Sequence, residues 1–169
     1  YWESSGGYSF MAWNQAKPFF KERDVRLALT HLVDRESIVK YLQKGRGKIV
    51  TGPFYLYGKQ NNPEIEPWPF DPERAKELLD GAGWVDTNGN GIRDKDGVEF
   101  VFSFSYPSGS TVGEQIVKLF KDEASKAGIE VKSDPLEWSI FIERLNTRKF
   151  EAVMLSWGGT IESDPYQIW

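Results

Sequence analysis

Residues 151–159 read Glu151-Ala152-Val153-Met154-Leu155-Ser156-Trp157-Gly158-Gly159. A short apolar run closed by a glycine pair is the pattern of a buried strand with a turn at its exit. Reading backwards, Ser139 to Thr147 has helical spacing, with Ile140, Phe141 and Leu145 turned inward. Before it, Ile129-Glu130-Val131-Lys132 is a short strand. Earlier still, Ser110 or Thr111 caps a helix whose apolar face is Val112, Ile116, Leu119, Phe120, Ala124 and Ala127, and Gly128 stops it. Glu99 to Ser105 alternates apolar and small polar residues and reads as a strand. The order is β-α-β-α-β, which predicts parallel pairing through right-handed crossovers. The fold class is therefore α/β. In open α/β sheets ligands sit beyond the carboxyl ends of strands, so Trp157 and the loop after it are the first candidate site.

The first half of the chain is less regular. Tyr8 to Asn14 reads as a strand. A helix is expected from about Asp24 as N-cap, with Val25, Ala28, Leu29 and Leu32 as its stripe; Asp34 restarts the pattern in a second, abutting helix that Gly45-Arg46-Gly47 ends. Ile49 to Pro69 is rich in Pro, Gly, Asn and aromatics and reads as a long surface loop. Asp71-Pro72 then pairs an N-cap with a proline at the first helical position.

At 169 residues the chain has room for one domain, residues 1–169, with a real core. The net charge of −4 gives no support to nucleic-acid binding. No cysteine is present, which excludes disulfides, thiol nucleophiles and Cys-based zinc sites. There is no apolar run of membrane-spanning length. The chain opens Tyr1-Trp2-Glu3 without Met and stops at Trp169; a piece of a larger protein is the expectation.

Catalysis finds no constellation. The single histidine, His31, lies inside a helix, where a surface or half-buried position is expected. No Gly-x-Ser-x-Gly and no phosphate-binding glycine loop occurs. Asp86, Asn88, Asn90 and Asp94, with Gly91 at the sixth place, copy the start of a calcium loop. The twelfth place is Gly97 rather than Glu, so a turn-rich connection is the plainer reading and calcium the alternative; otherwise no cofactor is expected. Aromatic residues are abundant, with seven Trp. Trp13, Trp138 and Trp157 fall at strand ends or in loops, where stacking on a ligand competes with packing against a partner. The cluster around Trp157 favours ligand contact, since it combines a strand end, paired glycines and the acids Glu162 and Asp164.

Several segments resemble the family-five extracellular solute-binding proteins, the oligopeptide- and dipeptide-binding class. Val25 to Val39, with Asp34-Arg35-Glu36, is similar to the family's "VRxAlxxaiDRexIv" signature. Asn14 with Lys17-Pro18-Phe19, and Gly52-Pro53, resemble the segments on either side of it. Asp71-Pro72-Glu73 through Ala82-Gly83-Trp84 resembles its "DPekAkelLdeAGW" helix. Phe150 to Trp157, then Asp164-Pro165, resembles the strand leading to the binding loop. The resemblance implies a mixed sheet flanked by helices, one lobe of a type II periplasmic-binding-protein-like fold, here most of the C-terminal lobe of a two-lobed protein and truncated at both ends. It implies solute capture in the periplasm or outside the cell, with membrane association in some members, and delivery to an ABC permease. The implied site is Trp157, Gly158, Gly159, Thr160, Glu162 and Asp164, with Trp138 and Trp13. Peptide binders of the family carry an Asp after the Trp that pairs with the peptide's amino terminus; Thr160 aligns with it here, and Glu162 is the substitute after a loop shift. Oligopeptides are thus the first solute class and oligosaccharides the second. A non-catalytic interaction domain is the reading from another class, and a lobe cut from its neighbour is expected to self-associate through exposed apolar surface.

Overall fold

The structure is a computed structural model that describes residues 7–158. Its centre is a mixed sheet whose strand order is β1-β6-β4-β5. These strands are β1 (Tyr8–Trp13), β4 (Val101–Pro107), β5 (Glu130–Leu136) and β6 (Ala152–Trp157). β4 pairs in parallel with both β5 and β6, and β1 runs antiparallel to β6, with Tyr8 opposite Trp157 and Trp13 opposite Ala152. The crossovers are α4 (Thr111–Lys126) and α5 (Trp138–Asn146). The chain steps one way from β4 to β5 and the other way from β5 to β6. Right-handed crossovers then put the two helices on opposite faces, which is what the packing shows.

The α4 face holds the main core. Phe102, Phe104 and Tyr106 of β4, Val131 of β5 and Ala152 of β6 meet Val117, Phe120 and Ala124 of α4. Trp13 lies among four phenylalanine rings, 5.6 Å from Phe20, 6.2 Å from Phe102, 5.9 Å from Phe104 and 5.7 Å from Phe120. The buried face of α4 is Gly113, Ile116, Val117, Phe120 and Ala124. Val112, expected inside, is exposed, and Val117 takes its share. At Gly113 the helix lies close to β6, and a Cβ there would meet the Met154 methyl at 3.0 Å. The α5 face is smaller: Leu136, Phe141 and Val153, with Ile142 and Leu145 packed alongside. Ile140 points outward instead, half exposed.

The remaining elements pack around the first core. α1 (Arg23–His31) begins one residue before Asp24 and has Glu22 at its N-cap, because a 3₁₀ turn at Pro18–Phe20 feeds straight into it; the Arg26 guanidinium donates to the Phe20 and Lys21 carbonyls at 2.7 Å. Asp24 therefore serves in the first turn, where a carboxylate favours the helix dipole. α2 (Arg35–Ser37) is capped by Asp34 and continues into a π turn over Ile38–Leu42. α3 (Pro72–Gly81) starts as expected, with the Asp71 carboxylate accepting from the Arg74 amide at 2.9 Å, and packs on α1. The loop between α2 and α3 has no helix or strand, and its end is tied down. Buried His31 bonds through Nδ1 to the Pro69 carbonyl at 2.8 Å, and Arg35 donates to the Trp68 carbonyl at 3.3 Å. His31 is thus interior rather than at the surface. The polar stretch before β4 folds into a small hairpin of β2 (Asp94–Lys95) and β3 (Val98–Glu99), so β4 starts two residues later than the sequence suggests.

Candidate ligand-binding site

Where strand order reverses in an α/β sheet, the loops leaving adjacent strands diverge and open a crevice at their carboxyl ends. Here the adjacent parallel strands β4 and β6 end at one edge of the sheet, with β5 on the far side of β4. β4 leaves through Ser108-Gly109-Ser110, whose first amide is held by the Leu136 carbonyl at 2.7 Å, while the Ser110 hydroxyl caps α4 by accepting from the Gly113 amide at 3.1 Å. β6 leaves through Trp157-Gly158. The Trp157 side chain is 37% exposed, and a Cβ placed on Gly158 would meet nothing within 4 Å.

Strand pairing brings Tyr8 to the same end. Tyr8 stands opposite Trp157, and the Ser9 and Ser156 hydroxyls bond at 2.7 Å beside them. The Tyr8 ring lies 5.7 Å from Phe10, and partial burial raises its phenol pKa above the usual range. Trp138 opens α5 just past β5, at the same edge but two strands away, roughly 10 Å by sheet geometry. It is 56% exposed and stacks on Phe141 at 6.0 Å. Its mount is firm: the Glu137 carboxylate accepts from the Ser139 amide at 2.9 Å and from the Ser139 hydroxyl. Those bonds hold the Glu137 carboxyl below the usual carboxylate range. The carboxyl edge thus presents three aromatic side chains with polar groups between them. Such a surface can stack on flat or aliphatic parts of a solute and bond its polar edges.

Trp13 is placed elsewhere. It lies at the opposite end of the β1–β6 ladder from Trp157, and its ring serves the α4-face core. Gly159, Thr160, Glu162 and Asp164 lie outside the described residues. Tyr8 escaped the sequence reading, since only the antiparallel register brings it beside Trp157.

The Asp86 loop spends its oxygens on its own backbone. The Asp86 carboxylate accepts from the Gly89, Asn90 and Gly91 amides at 2.7, 3.2 and 2.9 Å, which, with the Gly91 bond foremost, lowers its pKa. Asn88 accepts from the Asn90 amide at 3.0 Å, and Asn90 from the Ile92 amide at 2.8 Å. Asp94 is buried and takes the Thr87 amide at 2.9 Å and hydroxyl at 2.7 Å. Among the described residues no group of three or more His, Asp or Glu side chains is placed to hold a metal ion.

Comparison with known proteins agrees with this architecture. The oligopeptide-binding protein AppA of Bacillus subtilis (strain 168) is 35% identical over 165 residues, 95% of this chain and 30% of that protein. The solved structure of AppA in complex with a nonapeptide superposes with a TM-score of 0.86 at 35% identity, over 96% of this chain and 33% of that one. NikZ of Campylobacter jejuni in complex with Ni(L-His) superposes with a TM-score of 0.85 at 27% identity, over 96% of this chain and 31% of that one. The chain thus spans about a third of the length of these relatives. Among the described residues no helix is long and apolar enough to cross a membrane. Residues 1–169 match the profile of the bacterial extracellular solute-binding proteins, family 5 Middle, and the chain belongs to that family.

Proposed function

We propose that this chain forms one wall of a peptide-binding cleft in a longer protein that captures oligopeptides in the periplasm or outside the cell and hands them to an ABC permease. The carrying observation is the carboxyl edge itself: exposed Trp157 beside Tyr8 at the end of β6, with nothing within 4 Å of a Cβ placed on Gly158. The kinship with a protein named for oligopeptide binding supports peptide as the solute class. Capture works by contact and closure, without bond making. The rest of the longer protein supplies the opposing wall, and closure between two walls buries the solute.

The test uses the intact protein. A thermal-shift and calorimetric panel sets peptides of several lengths against oligosaccharides. A ligand at one hundred times its Kd stabilises the folded state by about 2.7 kcal/mol. Peptides are expected to give that shift; stabilisation by oligosaccharides alone overturns the peptide assignment. Trp157→Ala is expected to weaken peptide binding roughly tenfold, about 1.4 kcal/mol, with Trp157→Phe retaining most of it.

Binding is proposed to need no cofactor, with Asp86, Asn88, Asn90 and Asp94 acting as a turn. A melt with and without chelator should give one midpoint. A lower midpoint with chelator, restored by calcium, would establish a metal at this loop.

A further inference from the structure

On the α5 face, at the opposite end of β6 from Trp157, lies an open cavity of about 300 Å³. Four cations line it, Lys17, Arg144, Arg148 and Lys149, against two carboxylates, Asp134 and Glu151. Both carboxylates are already engaged. Asp134 accepts from Arg144 at 2.7 Å and from the buried Ser105 hydroxyl at 2.7 Å. Glu151 accepts from the Ser103 amide at 2.8 Å. Among the described residues Lys17, Arg148 and Lys149 make no side-chain hydrogen bond or ion pair. The cavity is therefore cationic in a chain of net charge −4.

The cluster draws on two separate stretches of chain, the end of α5 with its turn into β6, and the exit of β1. Cations at the end of α5 favour the carbonyl end of that helix, which accounts for Arg144 and the residues just after it. Lys17 gains nothing there, since it comes from the exit of β1. It is held close by Asn14, whose amide side chain donates to the Arg148 and Phe150 carbonyls at 3.2 and 2.7 Å and whose backbone amide donates to Glu151 at 2.8 Å. The Lys17 amide in turn bonds back to Asn14 at 2.9 Å. Arg148 itself holds a left-handed backbone, φ +56°, just past the end of α5, a common way to end a helix. One clamp thus fixes both loops with their cations on the same hollow, where, among the described residues, Glu151 is the one carboxylate without an ion-pair partner.

We infer that this hollow binds a small multivalent oxyanion, of the size and charge of a diphosphate or a tricarboxylate. The site is separate from the carboxyl edge and does not depend on the peptide reading. With Arg144 paired to Asp134, three cations face the single carboxylate of Glu151, a net positive charge suited to a multivalent anion, and the volume exceeds what orthophosphate fills. Arg and Lys are the side chains suited to such groups.

The experiment is calorimetric titration of the intact protein with inorganic pyrophosphate and with citrate. One saturable site is expected, weakened by added salt. Arg148→Asn combined with Lys149→Gln should lower affinity about tenfold or more, and Lys17→Gln alone about threefold. Asn suits the left-handed backbone at 148, and circular dichroism checks folding. Lys17→Gln sits in a different loop, so it tests the site even where the double variant fails to fold. Lys121→Gln, on exposed α4 surface, should leave affinity unchanged. Absence of saturable binding to either anion overturns the inference, as does an equal loss in Lys121→Gln.

Discussion

The two faces of the sheet are built from the same strands and do different work. Along β4 the side chains alternate: Phe102, Phe104 and Tyr106 face α4, and Ser103 and Ser105 face α5. On the α4 side, phenylalanines from β4, α4 and the 3₁₀ turn close around Trp13 in a core that is almost wholly apolar and aromatic. On the α5 side three buried apolar residues share the surface with the Ser105–Asp134–Arg144 network. Stability is concentrated where packing is dense and apolar. Ion chemistry is left to the face where solvent still reaches the strands.

Truncations on each side test that division. Phe104→Ala leaves a hole among Trp13 and Phe120, whose neighbours are held on several sides, and should cost about 4 kcal/mol. Phe141→Ala empties a small cluster at the protein's edge, where α5 can settle inward, and should cost nearer 2–3 kcal/mol. Chemical denaturation of both variants gives the comparison; equal losses would mean that the faces are energetically alike.

The polar network gives the next largest effect. Asp134→Ala leaves the Ser105 hydroxyl, 1% exposed, without its acceptor and Arg144 without its counter-charge. The expected cost is about 1–3 kcal/mol, the range for a buried polar group left unmade. Asp134→Asn keeps an acceptor for Ser105 and should recover part of it. A double-mutant cycle with Arg144→Ala would isolate the ion pair, whose partial exposure limits it to the low end of that range.

Much of this division is legible in the sequence, and the rest fails for definite reasons. The alternation in β4, the Asp71-Pro72 helix start and the β-α-β-α-β order are local signals, and each stands in the structure. The face of α4 is not local. Val112 and Val117 are equally apolar, and the packing of Ile116, Val117, Phe120 and Ala124 against the sheet leaves Val112 outside, with Gly113 close to Met154 of β6. Ile140 and Ile142 pose the same ambiguity, resolved by where α5 lies over Val153. The greatest loss is in the pairing of β1 with β6. Ser9 bonds Ser156 across 147 residues, and no local pattern encodes that register. It is this register that sets Tyr8 beside Trp157 and sends Trp13 to the other end. The Asn14 clamp on the α5–β6 turn is hidden for the same reason.

The helix caps carry the comparison into pH. α4 is capped by the Ser110 hydroxyl, which does not titrate in the accessible range. α5, which carries Trp138 at the candidate site, is capped by the Glu137 carboxylate, whose pKa its bonds to Ser139 lower from the ordinary 4.5. A carboxyl whose folded pKa is depressed contributes its stabilisation above its unfolded pKa and loses it as pH falls through the folded one. From neutral pH down to about 5 the cap is therefore intact. Below the ordinary glutamate range it is lost progressively. Amide exchange, corrected for its intrinsic pH dependence, should show Ser139 and Ile140 losing protection over that acid window while Gly113 and Glu114 of α4 do not. Glu137→Gln should lower protection at neutral pH and abolish the acid dependence. If the first turn of α5 in Glu137→Gln still loosens in acid as the parent does, another group governs it, and the carboxylate cap is not what holds Trp138 at the edge.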